Sequence, residues 1–280
     1  MHGPLTAVAV EGAHIVQRRL RPAAPAFTAR LTWALKRRQG EASLSVIDAL
    51  VGRGDATVDI GANWGLYTAR LTHLTGPEGQ VDAFEPHPDH ARTLRSLARR
   101  RPQLTVHPMA LSDSPGSAVL HVPVVRGRRV TALASLQPPK ADVEQETVTV
   151  ATARLDDILA GRRPPSFIKC DAEGLESAVL RGAEVTLRAS HPTLLVEIEQ
   201  RHRADPIDDT FRYLTGLGYR GYFFGPGGLN PLEDFEVERD QLAHLQPGVV
   251  EYEMPDEYVT DFLFVAPAVD VSQLAERSLR

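Results

Sequence analysis

Charged and titratable side chains crowd the ends of two apolar runs. Lys169, Asp171, Glu173 and Glu176 gather at the end of residues 166–170, and Glu197, Glu199 and His202 at the end of residues 193–198. A carboxylate or imidazole placed this way can take the proton of an attacking hydroxyl, an assistance worth on the order of 10²–10⁴-fold. If both runs are strands, side chains alternate between faces. Lys169 and Asp171 then oppose Ile168 and Cys170, and Glu197 and Glu199 oppose Ile198. Asp171, Glu173 and Glu197 can therefore converge, with Asp171 the first choice to touch the reacting end. His202 has the best-matched intrinsic pKa for a base, though it also reads as a surface histidine among Gln200, Arg201 and Arg203. Asp171, Glu173 and Glu197 could instead hold Mg²⁺ or another hard cation, although no fixed ligand spacing demands it. Lys169 could pair with Glu173 or Glu197 and reduce the repulsion among the acids. Glu176 reads as a surface acid and Cys170 as a small buried residue.

A second group lies at residues 57–68, Thr-Val-Asp-Ile-Gly-Ala-Asn-Trp-Gly-Leu-Tyr-Thr. Alternating β-formers break at Gly61 and again at Gly65, and a helical pattern follows. That is a nucleotide-binding corner, where glycines let a ligand approach the backbone. A dinucleotide site wants G-x-G-x-x-G; here Leu66 follows Gly65 and the third glycine is absent. Asp59, just before the turn, suits a positively charged amino group. Glu85, 20 residues past Gly65, can accept both hydroxyls of a ribose. An amino-acid end at the first loop and a ribose at the second strand describe S-adenosylmethionine. The bland alternative is a tight turn with no ligand.

The elements that must position these residues follow from periodicity. Residues 44–51 have helical spacing and end at Gly52. Strands are expected at 57–60, 80–85 and 104–108. Asp89 would cap a helix over residues 90–100. Residues 117–124 and 147–151 read as a hairpin-like insertion on the sheet edge or over the site, and 155–159 as a short helix. The core resumes with a strand at 166–170, a helix at 174–182, a strand at 193–198, a helix at 207–217, and strands at 219–224 and 258–266. Residues 225–257 read as loop with a short helix. This is an α/β chain with seven core strands, mostly parallel, and the last two an antiparallel pair at one edge.

The ordered motifs resemble the FkbM family of S-adenosylmethionine-dependent methyltransferases. Val58-Asp59-Ile60-Gly61-Ala62-Asn63 with Gly65, Tyr67 and Thr68 is similar to the first motif. Phe84-Glu85-Pro86, Ala110-Leu111-Ser112-Asp113 and Ile168-Lys169-Cys170-Asp171-Ala172-Glu173-Gly174 follow in order. Leu180-Arg181-Gly182-Ala183, Leu195-Val196-Glu197-Ile198 and Asp261-Phe262-Leu263-Phe264 complete the set. The resemblance spans residues 42–266 and implies a class I methyltransferase Rossmann-like fold, with seven strands, an antiparallel last strand and helices on both faces. It implies methyl transfer to oxygen, often a hydroxyl of a sugar, glycoside or polyketide-type natural product. It places Asp59, Gly61 and Asn63, with Ala62, Gly65 and Tyr67 of the same motif, at the methionine end. Glu85, followed by Pro86, would hold the ribose, and Ala110, Leu111 and Asp113 would border adenine. Asp171 would reach the cofactor as well as the acceptor. An NAD-dependent oxidoreductase, an N-methyltransferase and a non-catalytic binding module are the competing readings.

Composition narrows the remainder. The 280 residues are 42% hydrophobic and 24% charged, ordinary for a soluble domain, and the net charge of −5 leaves no footprint for nucleic acid. The single cysteine excludes an internal disulfide. No apolar run approaches the roughly 18 residues of a membrane span, and no signal-peptide pattern opens the chain. A cytoplasmic protein with a small-molecule or carbohydrate hydroxyl substrate is expected. Residues 1–41 form a basic helical extension, with Arg18, Arg19 and Arg21 before Pro22 and Pro25 and a helix over residues 27–38. That helix would pack on the main domain with a solvated basic face, or serve as a substrate lid, a membrane-surface contact, or the arm of a homodimer. Residues 42–270 form the methyltransferase domain, with the insertion over 112–165, and 271–280 a C-terminal tail.

Overall fold

The computed structural model describes residues 25–38, 42–125, 128–131, 134–137, 144–225, 228–245, 255 and 257–271. Two helices come first, α1 (Pro25–Arg38) and α2 (Ala42–Leu50). Then β1 (Ala56–Ile60), α3 (Leu66–Thr75), β2 (Gln80–Phe84), α4 (Pro88–Ala98) and β3 (Leu104–His107) alternate. A second group of strands follows: β4 (Ala110–Leu111), β5 (Gly116–Val125), β6 (Arg128–Arg129) and β7 (Gln145–Ala153). After α5 (Leu155–Leu159) come β8 (Phe167–Cys170), α6 (Glu176–Arg181), α7 (Glu184–Ser190) and β9 (Thr193–Glu197). The chain closes with α8 (Asp208–Gly216), β10 (Arg220–Gly225), β11 (Gly228–Pro231), α9 (Val237–Asp240) and β12 (Asp261–Val265).

The main sheet runs β11-β10-β12-β9-β8-β1-β2-β3. Its five strands from β9 to β3 are parallel, and β12 is antiparallel to both β9 and β10. Eight strands stand where seven are expected, because Gly228–Pro231 folds back on β10 as a hairpin. The glycine- and proline-rich composition of that segment hides so short a strand. The last two expected strands, β10 and β12, do form an antiparallel pair at one end of the sheet, with β12 beside β9 and only the short β11 beyond β10.

Three helix boundaries differ from expectation. The cap of α4 is His87, whose side chain accepts the Asp89 N–H, with Pro88 opening the helix. The segment after β8 is two helices, because the Asp156 carboxylate accepts the N–H groups of Val185 and Thr186 and starts α7 anew. The helix before it begins at Glu176, two residues later than the pattern suggests.

The insertion is larger than a hairpin. β5 and β7 pair antiparallel along their length, and β4 and β6 extend them into a second sheet of order β4-β7-β5-β6. Ser135 Oγ donates to the Glu173 carbonyl (3.0 Å) and Gln137 Nε2 to the Gly174 carbonyl (2.9 Å), so this sheet is fastened over the end of β8.

Alternation along the strands splits the core in two. Val58, Ile60, Ile168, Cys170 and Val196 pack with α5 to α8, while Val81, Phe167 and Leu195 pack with α1 to α4. Cys170 is buried as expected, and burial pushes its thiol up. Helix α1 buries Thr28, Ala29 and Trp33, and Arg70 bonds Asp48 of α2 (2.6 Å) while lying over the Trp33 ring. Among its described side chains the outer face carries Phe27, Leu31 and Leu35 alongside exposed Arg30. Arg18, Arg19, Arg21, Leu20, Pro22 and the 272–280 part of the tail lie outside the described residues, as do parts of the 125–145 and 225–257 segments. Among the described residues no helix is long and apolar enough to cross a membrane.

Candidate functional site

The turn after β1 holds three left-handed residues, Gly61 (φ 70°), Asn63 (φ 48°) and Gly65 (φ 86°). Gly61 is fixed by close approach as well as by conformation. A Cβ there would lie 1.8 Å from the Asp171 carbonyl oxygen, and the Asp171 N–H donates to the Ile60 carbonyl (3.1 Å). Gly65 clears Leu94 of α4, whose Cδ2 would stand 2.8 Å from an added Cβ. Both glycines thus bring protein segments together, where the sequence suggested an approach to ligand. The N–H groups of Gly61 and Ala62 both donate to the Phe84 carbonyl (3.0 Å each), tying the turn to the end of β2.

Glu85, just past that end, is held from two sides. Asn63 N–H donates to Oε2 and His87 N–H to Oε1, each at 2.7 Å. Each carboxylate oxygen retains a lone pair for a further donor. Glu85 lines a cleft with Gly61, Asn63, Pro86, Asp171 and Glu173, whose open space, including its solvent-filled mouth, is about 630 Å³. Its far wall is apolar, built from Phe84, Met109, Ala110, Leu111, Leu175 and Val179. Leu120 of β5 roofs it, joined by Ala134, Ser135 and Leu136 of the segment that bridges to β5 through Ser135 and His121. Asp113 is not part of it: that side chain is exposed and accepts the Ser114 hydroxyl. The motif around Asp113 is structural instead, since a Cβ at Gly182 would meet the Ser112 carbonyl at 2.0 Å.

His90 is a lining residue absent from the sequence reading. It is 1% exposed, its ring lies 4.0 Å from that of Trp64, and its Nδ1 stands 3.7 Å from Glu85 Oε1. Its Nε2 has no hydrogen-bond partner among the described residues. The signal for it was present in the sequence as a histidine in the first turn of α4.

The remaining candidates form a charged stripe on the face of the sheet that carries α1 to α4. Asp59 and Lys169 are register neighbours on β1 and β8, and Glu197 and Asp261 are neighbours on β9 and β12. Lys169 Nζ is 2.9 Å from Asp171 Oδ2, so its partner is Asp171 rather than Glu173 or Glu197. Burial opposes the Lys169 charge, yet Asp171, Asp59 and Glu197 together raise its pKa. Burial raises the Asp59 carboxyl, which Lys169 and the Thr68 hydroxyl partly offset. Asp59 is fully buried and lines neither cleft; its Oδ2 accepts the Thr68 hydroxyl, while Oδ1 has no hydrogen-bond partner among the described residues. Burial, followed by Asp171 and Asp261, pushes Glu197 well above the usual carboxylate range.

His202 sits between two acids, with Nε2 3.3 Å from Glu199 Oε1 and Nδ1 3.8 Å from Glu173 Oε2. The ring is thus placed between two acids, although its Nε2 makes no hydrogen bond among the described residues. Glu199 is buried, yet its polar contacts with His202, Arg201 and Tyr258 outweigh that burial and hold its carboxyl down at about 2. Glu176 is the clear misreading. It is 1% exposed, and its Oε1 accepts the N–H groups of Ala172 (3.0 Å) and Gly174 (2.9 Å), shaping the turn that presents Glu173. Glu173 and Gly174 are both left-handed, and a Cβ at Gly174 would strike the His202 carbonyl at 2.7 Å.

Tyr67 and Ala62 face a second cleft between α1 and the corner, of about 780 Å³ with its open mouth. Among the described residues no group of three or more histidine, cysteine or acidic side chains is arranged to hold a metal ion. The arrangement thus lends no support to the Mg²⁺ site that the sequence clustering of Asp171, Glu173 and Glu197 allowed.

The family profile described as "Methyltransferase FkbM domain" matches residues 59–220. No curated protein matches the chain. A crystal structure of Methyltransferase FkbM from Methylobacillus flagellatus is 21% identical, with TM-score 0.46, covering 75% of this chain and 43% of that one. The chain thus spans less than half the length of that relative. A precorrin-6y C5,15-methyltransferase from Geobacter metallireducens is 12% identical, with TM-score 0.42, covering 80% and 87%. Fibrillarin from Aeropyrum pernix, solved with bound S-adenosyl-L-methionine, is 13% identical, with TM-score 0.42, covering 78% and 68%.

Proposed function

The chain belongs to the FkbM methyltransferase family, which uses S-adenosylmethionine, and from that premise we propose O-methylation of a hydroxyl on a neutral sugar, glycoside or polyketide-type acceptor. The observation that carries the reading is that the Glu85 cleft and the charged stripe meet at Asp171 and Glu173. S-adenosylmethionine supplies an electrophilic methyl on a sulfonium. The residues present fit it. Glu85 keeps acceptor capacity for ribose hydroxyls, the unpartnered His90 Nε2 lies beside it, and the apolar wall at Met109, Ala110 and Leu111 suits a purine face. Pro86 lines the same wall.

At the other end, acids surround the reaction zone and favour a cationic sulfonium over an anionic acceptor. Asp171, held by Lys169, and Glu173 orient the acceptor hydroxyl. His202, fixed by Glu199, takes the proton by way of Glu173. Glu197, whose proton affinity burial and Asp171 raise, stands beside Asp171 as a further hydrogen-bonding group. Residues 42–270 make up the catalytic domain in this reading, with α1 as an extension against it.

The test is calorimetry with S-adenosylhomocysteine, followed by a labelled-methyl screen of sugars, glycosides, hydroxylated polyketides and amines, with and without EDTA. Binding and label on oxygen, unaffected by EDTA, are expected. Label on amines alone would overturn the acceptor assignment, and no binding would overturn the cofactor assignment.

A further inference from the structure

Five large hydrophobic side chains are exposed among the described residues, and three of them share helix α1: Phe27, Leu31 and Leu35. They recur every fourth residue, so each is turned about 40° from the one before and the three form a ridge. Exposed Arg30 and Ala34 flank that ridge, giving an outward arc of about 140°. Thr28, Ala29 and Trp33 are buried on the opposite side, against the domain. The ridge lies before residue 59, outside the segment that the family match covers.

The Arg30 flank is cationic. A groove between α1 and α3, about 510 Å³ of open space with its mouth, is lined by Arg30, Trp33, Arg70 and His73. Burial and then Arg70, Arg30 and Arg101 lower the His73 pKa, with Asp48 opposing them. Arg70 is paired with Asp48, whereas Arg30 makes no ion pair or hydrogen bond among the described residues. The sequence of α1 holds four basic residues and no acid, in a chain whose net charge is −5.

An occupant of this face must receive an apolar ridge and positive charge together. A second copy of the chain would bring the same patch across a two-fold axis, setting cation against cation. A nucleic acid offers phosphates but nothing to receive two leucines. An anionic lipid surface offers both, acyl chains for the ridge and phosphates for the arginine beside it. An arginine stem can lie along the apolar layer while its head stays at phosphate level.

We infer that α1 is a docking face for an anionic membrane surface. Phe27, Leu31 and Leu35 enter the headgroup layer, and Arg30 with the Arg70–His73 groove meets the lipid phosphates. Docking of this kind does not depend on which cofactor or acceptor the clefts hold. It sets the second cleft, walled by Thr28, Ala29 and Thr32 of the same helix, beside the lipid.

The test is co-sedimentation of the full chain with vesicles. Phosphatidylcholine vesicles carrying about 30% phosphatidylglycerol should bind it at least about tenfold more tightly than pure phosphatidylcholine, and added salt should weaken that binding. Arg30→Ala should weaken it about fivefold, and Arg30→Lys less than about twofold. Phe27→Glu with Leu31→Glu should weaken it at least about 30-fold. Both positions are exposed, so the urea midpoint should stay near that of wild type; if the double variant unfolds, the Arg30 pair decides. Inorganic phosphate should compete no better than chloride of equal ionic strength. No binding to anionic vesicles, equal binding to both vesicle types, or binding untouched by Arg30→Ala would overturn the inference. Loss of vesicle binding to inorganic phosphate alone would do so too, by reporting a small-anion site. A lipid-free dimer that Phe27→Glu dissolves, without vesicle binding, would assign the ridge to a second copy instead.

Discussion

The two clefts share Gly61, Asn63 and Asp171 but are built from opposite materials. Beside Glu85, one carboxylate sits in an apolar wall and is held by backbone N–H groups, so position is set by the fold of two strand ends. Around Lys169, side-chain charges hold one another, and each group's state depends on its neighbours. A region fixed by backbone recognises shape and hydroxyl geometry. A region fixed by mutual charge can tune proton affinity and tell a sulfonium from an anion. The turn at Gly61 is where the two regions are joined.

Breaking that junction should have the largest effect. Gly61→Ala places a methyl inside the Asp171 carbonyl and should destabilise the fold by about 3 kcal/mol or more. A urea unfolding midpoint unchanged from wild type would show that the junction is soft. Asp171→Asn strikes the charged side alone, leaving Lys169 short of a partner. A fall of about 10²-fold or more in kcat is expected in single-turnover assays, together with weaker S-adenosylhomocysteine. Glu85→Gln strikes the other side, since its amide would face a backbone N–H with a donor. Calorimetry should give a 10–100-fold weaker Kd, about 1–3 kcal/mol, while kcat at saturating cofactor changes little. If Asp171→Asn and Glu85→Gln gave the same split between Kd and kcat, the two regions would not be distinct.

The smallest effect is expected at Glu197. Its folded pKa is raised, so the native state binds more protons than the unfolded one above pH 4.5. Stability should therefore fall as pH climbs from 4.5 through the folded value. Glu197→Gln mimics the protonated acid, so it should flatten that part of a Tm–pH profile and leave kcat within about threefold. A tenfold loss of kcat would instead make Glu197 the base.

Much of this was legible in the residues. The parallel strands are short apolar runs buried on both faces, and the acids at their ends stand out against them. Glu85 was readable from its spacing after the glycine turn, and Asp171 and Lys169 from alternation. What escaped was set by contacts between distant segments. Glu176 looked like a surface acid three residues after Glu173, but the helix starts at Glu176 and its carboxylate turns back to the loop. Asp113 sits in a matched motif that packs closely on Gly182, and its side chain is exposed, so proximity in sequence to Leu111 did not carry it into the cleft. Leu120 and Leu136 reach the cleft only because the second sheet folds over β8, and no local pattern encodes that.

The place of β12 has a consequence for how the protein is made. β10 and β9 are not neighbours; each pairs with β12, which is synthesised after both. While the chain is emerging, the β10–β11 hairpin has nothing to join it to the sheet, and Glu197 lacks the Asp261 that sits across from it. The nascent chain must hold an open edge at β9 until residues 261–265 appear, a non-local pairing of the kind that slows folding. Ligand binding and sheet closure should therefore mature together, once β12 has been made.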